Sequence, residues 1–117
     1  LDICVFTITD NRIVRKLAEA HNRGINIRVI SDDMKSEDLG SDMETLEQLG
    51  ISCRYDRSTA HMHHKFALAD NDLLLTGSYN WTRSASTENN ENIVVSNNTR
   101  LVKQFQQEFD QMWKALS

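Results

Sequence analysis

The sequence predicts a single α/β domain with a mixed, mostly parallel sheet flanked by helices, and three features carry that expectation. Between residues 2 and 55 the order strand, helix, glycine, strand occurs twice, which is the pattern of a right-handed parallel crossover. Residues 65–76 read as a hairpin. The chain then closes on one long amphipathic helix.

Each element follows from local chemistry. Asp2 to Ile8 is a β-rich run too apolar for an exposed edge, and Thr9, Asp10 and Asn11 offer capping side chains for a helix over residues 11–22. Ile13, Val14, Leu17, Ala18 and His21 share its inward side, and Gly24 ends it. Ile25 to Ile30 alternates as a second strand. Residues 31–40 are a polar, acidic connection. Ser41 and Glu44 form a capping box for a second helix to Leu49, with Met43, Leu46 and Leu49 on one face and Gly50 as its stop. Ile51 to Tyr55 is a third strand. Lys65 to Ala69, a turn at Asp70-Asn71-Asp72 and Leu73 to Thr76 make the hairpin. Residues 77–92 are polar and punctuated, with one helical turn near Ala85. Ile93 to Val95 is a further strand. Asn98 or Thr99 caps the last helix, which runs to about Leu116 and turns Leu101, Val102, Phe105, Phe109, Met112 and Trp113 inward.

A chain of 117 residues with 39% hydrophobic and 26% charged residues supports one core and excludes two large domains, a disordered chain and a collagen-like one. No apolar run approaches the roughly 18 residues of a membrane span. The two cysteines, Cys4 and Cys53, sit in apolar alternating runs and read as reduced core thiols rather than a disulfide framework. Proline is absent, so Gly, Asn, Asp and Ser must make every turn. The formal net charge of −4 argues against an extended DNA-coating surface. Its distribution is uneven, because acidic side chains crowd residues 32–47 whereas Arg54, Arg57, His61, His63, His64 and Lys65 crowd residues 54–65. An acidic protein can still focus an anion into a basic cleft.

Chemistry concentrates in His61-Met-His63-His64-Lys65 and in Gly77-Ser78-Tyr-Asn80-Trp81. On a strand, His63, Lys65, Ala67 and Ala69 face one way and His64, Phe66 and Leu68 the other. Lysine beside histidine favours the neutral, nucleophilic imidazole and offers a compact charge to a phosphate oxygen. Gly77 permits close backbone approach, while Ser78 and Asn80 supply hydrogen-bond donors to developing negative charge. Glu91 is placed to accept a hydrogen bond from His63 and fix its tautomer. A zinc site at the three histidines is the rival reading. Adjacent histidines on a strand diverge, however, both cysteines are remote, and the spacing matches no helix-borne zinc motif. Merely exposed or structurally satisfied histidines remain open on local chemistry alone.

His63-x-Lys65, then Asp70, then Gly77-Ser78 and Asn80 at these gaps resemble the catalytic motif of the phospholipase D superfamily, named for its His, Lys and Asp. Met62-His-His-Lys-Phe66, Gly-Ser-x-Asn-Trp81 and Glu91-Asn92 are similar to its single-motif branch, which holds the bacterial EDTA-resistant endonucleases and the mitochondrial cardiolipin hydrolase and Zucchini-like proteins. The resemblance extends over essentially the whole chain and implies a phospholipase D-like sandwich. It also implies that His63 attacks phosphorus to give a phosphohistidine, and that Lys65 and Asn80 hold the nonbridging oxygens. Ser78 would support the phosphate pocket and Glu91 would orient His63. Asp70, the motif's third residue, falls at a hairpin turn, where a structural hydrogen-bonding role suits it better than proton transfer.

The family-based expectation is a metal-independent phosphodiesterase with no cofactor, acting as an endonuclease on DNA or RNA at a homodimer interface. Arg54, Arg57 and Arg83 would bind flanking phosphates, though salt-bridged surface arginines are as natural a reading. Cardiolipin or phospholipid hydrolysis, and a catalytically silent phosphate-binding module, are the alternatives. An apolar rim would favour lipid. Members usually carry another strand and helix ahead of the segment matching residues 1–8, so residues 1–117 are expected to form one catalytic domain short of those elements. The zinc-binding insertion of animal Zucchini-like proteins has no Cys or His support here, and their mitochondrial anchor is not in these residues. The expected location is therefore cytoplasmic, with a secreted, periplasmic or mitochondrial-surface location if a targeting segment is missing.

Overall fold

The computed structural model describes residues 1–5, 11–32, 43–56, 65–77 and 93–116. Its elements are β1 (Asp2–Val5), α1 (Asn11–Asn22), β2 (Arg28–Asp32), α2 (Met43–Gln48), β3 (Ser52–Asp56), β4 (Lys65–Ala69), β5 (Leu73–Gly77), β6 (Ile93–Ser96) and α3 (Thr99–Ala115). The strands form one sheet in the order β3-β2-β1-β4-β5-β6. β1, β2 and β3 pair in parallel, while β4 joins β1 antiparallel and is followed by antiparallel β5 and β6. The two crossovers give the parallel pairs β1–β2 and β2–β3 as predicted, but the sheet is mixed rather than mostly parallel, because the hairpin and return strand make the other three of its five pairings antiparallel.

Side-chain alternation divides the core into two layers. Ile3, Val5, Val29 and Ala67 pack with Val14, Leu17 and Ala20 of α1 and Met43 and Leu46 of α2. Cys4, Ile30, Phe66, Leu68 and Leu74 pack on the other face with Val102 and Phe109 of α3. Phe66 and Phe109 are fully buried, each contributing about 1.5–3 kcal/mol of hydrophobic stabilisation. Phe105 meets Phe66 edge to face, with centroids 5.1 Å apart. The α3 stripe is the one the spacing predicts, and Asn98 caps the helix by accepting from the Leu101 N–H at 3.0 Å. The two cysteines are free and lie on opposite faces, Cys4 in the α3 layer and Cys53 against the α1 and α2 layer.

Both crossovers end their helices in the same way. The Ile25 N–H donates to the Ala20 carbonyl and the Gly24 N–H to His21, while Ile51 donates to Leu46 and Gly50 to Glu47. These are two Schellman closures with glycine in the left-handed region, at φ +87° and +92°. The closure explains why β2 begins at Arg28 rather than Ile25, since the Ile25 N–H is committed to the helix end. It also turns the chain at Leu49, which is 41% exposed instead of joining Met43 and Leu46 inside. The predicted Ser41 cap, the helical turn near Ala85 and the first-strand residues 6–8 lie outside the described residues.

The two glycines differ in surroundings. A Cβ on Gly24 would meet nothing within 4 Å, whereas one on Gly50 would lie 3.2 Å from the His21 Nε2. Gly24→Ala should cost about 1–2 kcal/mol through its left-handed backbone alone. Gly50→Ala should cost more, because His21 must also shift. Urea unfolding of both variants checks the order, and equal losses would show that His21 yields freely.

Candidate active site

The register fixes where the chemistry-bearing segments enter the sheet. Lys65 opens β4 opposite Val5, the last residue of β1. Gly77 closes β5 opposite Ile93, the first residue of β6, and Phe66 faces Thr76 on the intervening ladder. These positions, with the ends of β2 and β3 at Asp32 and Asp56, share one edge of the sheet. In an α/β sheet the crevice outside the carboxyl ends of parallel strands is where ligands gather. In sequence, His63 lies two residues before β4, Ser78 directly after β5, Glu91 two residues before β6, and Arg57 directly after β3. His63, Ser78, Asn80, Glu91, Arg57 and Arg83 themselves lie outside the described residues, as does the histidine cluster weighed for zinc.

Lys65 is half-buried. Its strand alternates as the spacing predicts, with Ala67 in the α1 and α2 layer and Phe66 and Leu68 in the α3 layer. Lys65 therefore stands on the Ala67 side, and fully buried Phe66 and Leu68 anchor the strand from behind. The Thr76 Oγ1 lies 3.5 Å from the Lys65 carbonyl across the ladder.

Asp70 is placed elsewhere. It occupies the β4–β5 turn at the opposite edge, about 16 Å from Lys65 at 3.3 Å per residue. Asp70 and Asn71 both take left-handed backbone, φ 55° and 59°, and the Asp72 N–H closes the turn on the Ala69 carbonyl at 3.1 Å. Asp and Asn tolerate that conformation, which accounts for Asp70 without a reacting phosphate.

Arg54 is likewise engaged in packing. Its guanidinium sits 3.9 Å from the centroid of the Trp113 ring and donates to the Trp113 carbonyl. The cation–π contact ties β3 to the end of α3. A side chain held there is not free to trail a flanking phosphate.

The spacing of motifs gave no sign of a third group of residues. Arg28 forms a bidentate pair with Asp2, its parallel-strand neighbour, at 2.8 and 2.7 Å, and reaches Asp110 at 3.1 Å. Gln106 bridges the same two carboxylates at 2.9 and 3.2 Å. Arg28 also lies over Phe109 and Trp113, at 4.9 and 5.4 Å. The signal available in sequence was a charged residue between Ile27 and Val29. An open cavity of about 560 Å³ borders this network and Asp70, at the edge remote from Lys65. Asp2, Arg28, Gln106 and Asp110 in its lining bond to one another, and Lys65 is not among the lining residues.

Two pKa shifts follow from this packing. Burial pushes the Cys53 thiol up to about 12, with help from the Glu47 charge, so it stays protonated and unreactive. Burial would also raise the Asp2 carboxyl, but hydrogen bonds from Arg28 and Gln106 and the Arg28 charge prevail and hold it below its usual 3.8. A depressed carboxyl stabilises the fold above its unfolded pKa and loses that contribution as pH falls through the folded value.

Comparison with known proteins is consistent with this layout. The family model described as "Cardiolipin synthase, PLD-like domain" matches residues 1–113. The chain belongs to the phospholipase D superfamily. A mitochondrial cardiolipin hydrolase of Chlamydomonas reinhardtii is 51% identical over 97% of this chain and 51% of its own length. That of Xenopus tropicalis is 40% identical over 97% of this chain and 54% of its own. The chain therefore spans about half the length of these curated relatives. The crystal structure of Nuc from Salmonella typhimurium, a phospholipase D family member, superposes with a TM-score of 0.89 at 28% identity, covering 96% of this chain and 76% of that one. NucT from Helicobacter pylori gives 0.87 at 20% identity, over 97% and 77%, and supports the fold.

The cytoplasmic expectation is corrected by these relatives, which from alga to frog carry a mitochondrial name. It rested on the lack of an anchor within residues 1–117, and the relatives are about twice as long. Among the described residues no helix is long and apolar enough to cross a membrane.

Asp2→Asn should remove the part of the acid destabilisation that develops below about pH 4, while costing about 1–3 kcal/mol at neutral pH through the lost charged hydrogen bonds. Thermal unfolding between pH 3 and 7 reads both effects. An unchanged pH profile would show that the Asp2 pair contributes nothing to stability.

Proposed function

We propose that this chain is the catalytic part of a phospholipid phosphodiesterase, with cardiolipin as the leading substrate class, acting at a mitochondrial membrane. The observation that carries the reading is 51% identity across nearly the whole chain to a mitochondrial cardiolipin hydrolase, with His63-x-Lys65, Gly77-Ser78 and Asn80 in the order the chemistry needs. The endonuclease reading, first on sequence grounds, becomes the second. One physical observation weakens it further: Arg54, assigned to flanking phosphates, is occupied by Trp113.

In this reading a His63 ring nitrogen attacks phosphorus, the bond to the leaving oxygen breaks, and that oxygen takes a proton from His63 of the partner subunit. Water then attacks the phosphohistidine, losing its proton to the partner's His63, and the P–N bond breaks to release the phosphate product. Lys65 and Asn80 neutralise the nonbridging oxygens, Ser78 donates to the phosphate, and Glu91 orients His63. Asp70 serves the hairpin. The scheme routes no step through a metal. One motif per chain supplies one histidine, so a homodimer with the phosphate on its twofold axis completes the site.

The test uses the full natural polypeptide in excess chelator, offered cardiolipin vesicles and single-stranded nucleic acid in parallel. Cardiolipin turnover is expected, with Lys65→Ala slowing kcat about 10²–10³-fold. Its melting temperature should change little, since Lys65 is only half-buried. Cleavage of nucleic acid with cardiolipin untouched would replace the substrate class. An unchanged kcat/KM in folded Lys65→Ala would remove Lys65 from the mechanism.

A further inference from the structure

The chain carries a formal net charge of −4, yet α1 is basic. Arg12, Arg15, Lys16 and, just past the helix end, Arg23 stand against one carboxylate, Glu19. At 3.6 residues per turn these five side chains fall within about a third of the helix circumference. Val14, Leu17 and Ala20 take the opposite side and are buried in the core. All five charged residues are exposed, and Lys16 and Glu19 pair with each other at 3.4 Å. Arg15 and Arg23 form no ion pair among the described residues.

Helix stability does not account for this arrangement. The positive end of the macrodipole lies at a helix start, where carboxylates stabilise and cations do not. α2 follows that rule with Glu44, whereas α1 has no acidic residue in its first turn and carries Arg12 there, followed by Arg15 and Lys16. The fold gives these cations a particular place. β1 ends opposite Lys65 and β2 restarts at the Asp70 edge, so α1, which joins them, runs from the Lys65 edge toward the other. Arg12, Arg15 and Lys16 lie in its first half, and the row to Arg23 is about 16 Å long at 1.5 Å per residue. In the same layer α2 shows Glu44 and Glu47 to solvent instead. Positive charge gathered on one helix of an acidic protein orients the molecule in an external field.

We propose that the outer face of α1 is the surface by which the protein docks on an anionic phospholipid bilayer, with the Lys65 edge beside the headgroups. The choice of a bilayer rests on the phospholipid reading above. Charge complementarity supplies the attraction, because a row of cations about 16 Å long meets several headgroup phosphates at once. The acidic remainder of the chain is repelled by the same surface, which leaves α1 as the side that meets it. The apolar face of α1 is already used by the core, so none of its side chains enters hydrocarbon, and the contact is electrostatic, reversible and sensitive to salt. Nucleic acid suits the face less well, since α1 has no aromatic residue on which a base could stack.

Flotation of the full natural polypeptide with phosphatidylcholine vesicles, with and without phosphatidylserine, tests the docking apart from turnover. The quantity read is the excess of binding to the anionic vesicles over the neutral ones, which should fade as salt rises. Arg15→Gln combined with Arg23→Gln should weaken that excess about 30-fold. Arg100→Gln combined with Lys103→Gln, an equal charge change at exposed positions of α3 on the other side of the sheet, should leave it nearly unchanged. On cardiolipin vesicles the α1 variant should raise KM, while on detergent-dispersed cardiolipin it should keep the wild-type kcat. Unchanged anionic binding in the folded α1 variant would overturn the proposal, as would equal weakening by the two variants, which indicates net charge alone. Lost affinity for single-stranded nucleic acid with vesicle binding intact would also overturn it. Salt-sensitive docking through Arg15 and Arg23 in a protein that leaves cardiolipin uncut would support the surface and overturn only the substrate reading.

Discussion

The antiparallel ladder between β1 and β4 is the contact on which the rest of the molecule depends. It joins a parallel half, built from two crossovers, to an antiparallel half built from a hairpin and a return strand. Its register, Val5 opposite Lys65 and Asp2 opposite Leu68, decides which connections meet at which edge. A slip of one residue would move Lys65 to the α3 face and drive Phe66 out of its pocket against Phe105. Apolar burial on both faces therefore fixes the position of a polar, chemically useful residue at the end of the same strand.

The two edges have separate tasks. The Lys65 edge receives the segments that carry the catalytic motif in sequence. The opposite edge holds Asp70, the Asp2–Arg28 pair and Gln106, where charges are matched to one another and the fold is tied to α3. Arg28 and Arg54 both lie against Trp113, so the end of α3 is fastened by two guanidinium groups as well as by Phe109. Such partly buried, hydrogen-bonded pairs resist local opening, and a rigid sheet behind the proposed phosphate site would keep its donors in place without reorganisation.

Much of this was legible in the sequence because the signals are local and periodic. Gly24 and Gly50 mark the helix ends, the stripe from Leu101 to Trp113 marks the α3 face, and alternation from Lys65 to Ala69 marks both faces of β4. What was not legible depends on contacts between distant segments. The Schellman closure delays β2 to Arg28, and no spacing rule links Arg54 to Trp113 or Arg28 to Asp110. The motif names Asp70 together with Lys65, but the five residues of β4 carry Asp70 to the opposite end of the sheet from Lys65. The cytoplasmic expectation had no residue pattern behind it, and the relatives' mitochondrial names point elsewhere.

The central claim is that the β1–β4 register builds the phosphate site at the Lys65 edge. Chemical-shift mapping with vanadate, a mimic of phosphate in its transition state, tests it most directly in the full natural polypeptide. The account predicts that amide signals of Val5, Lys65, Gly77 and Ile93 move together and saturably, while those of Asp70, Asn71 and Asp110 stay still. Saturable shifts centred on Asp70 and Asp110, with the Lys65 edge silent, would contradict it.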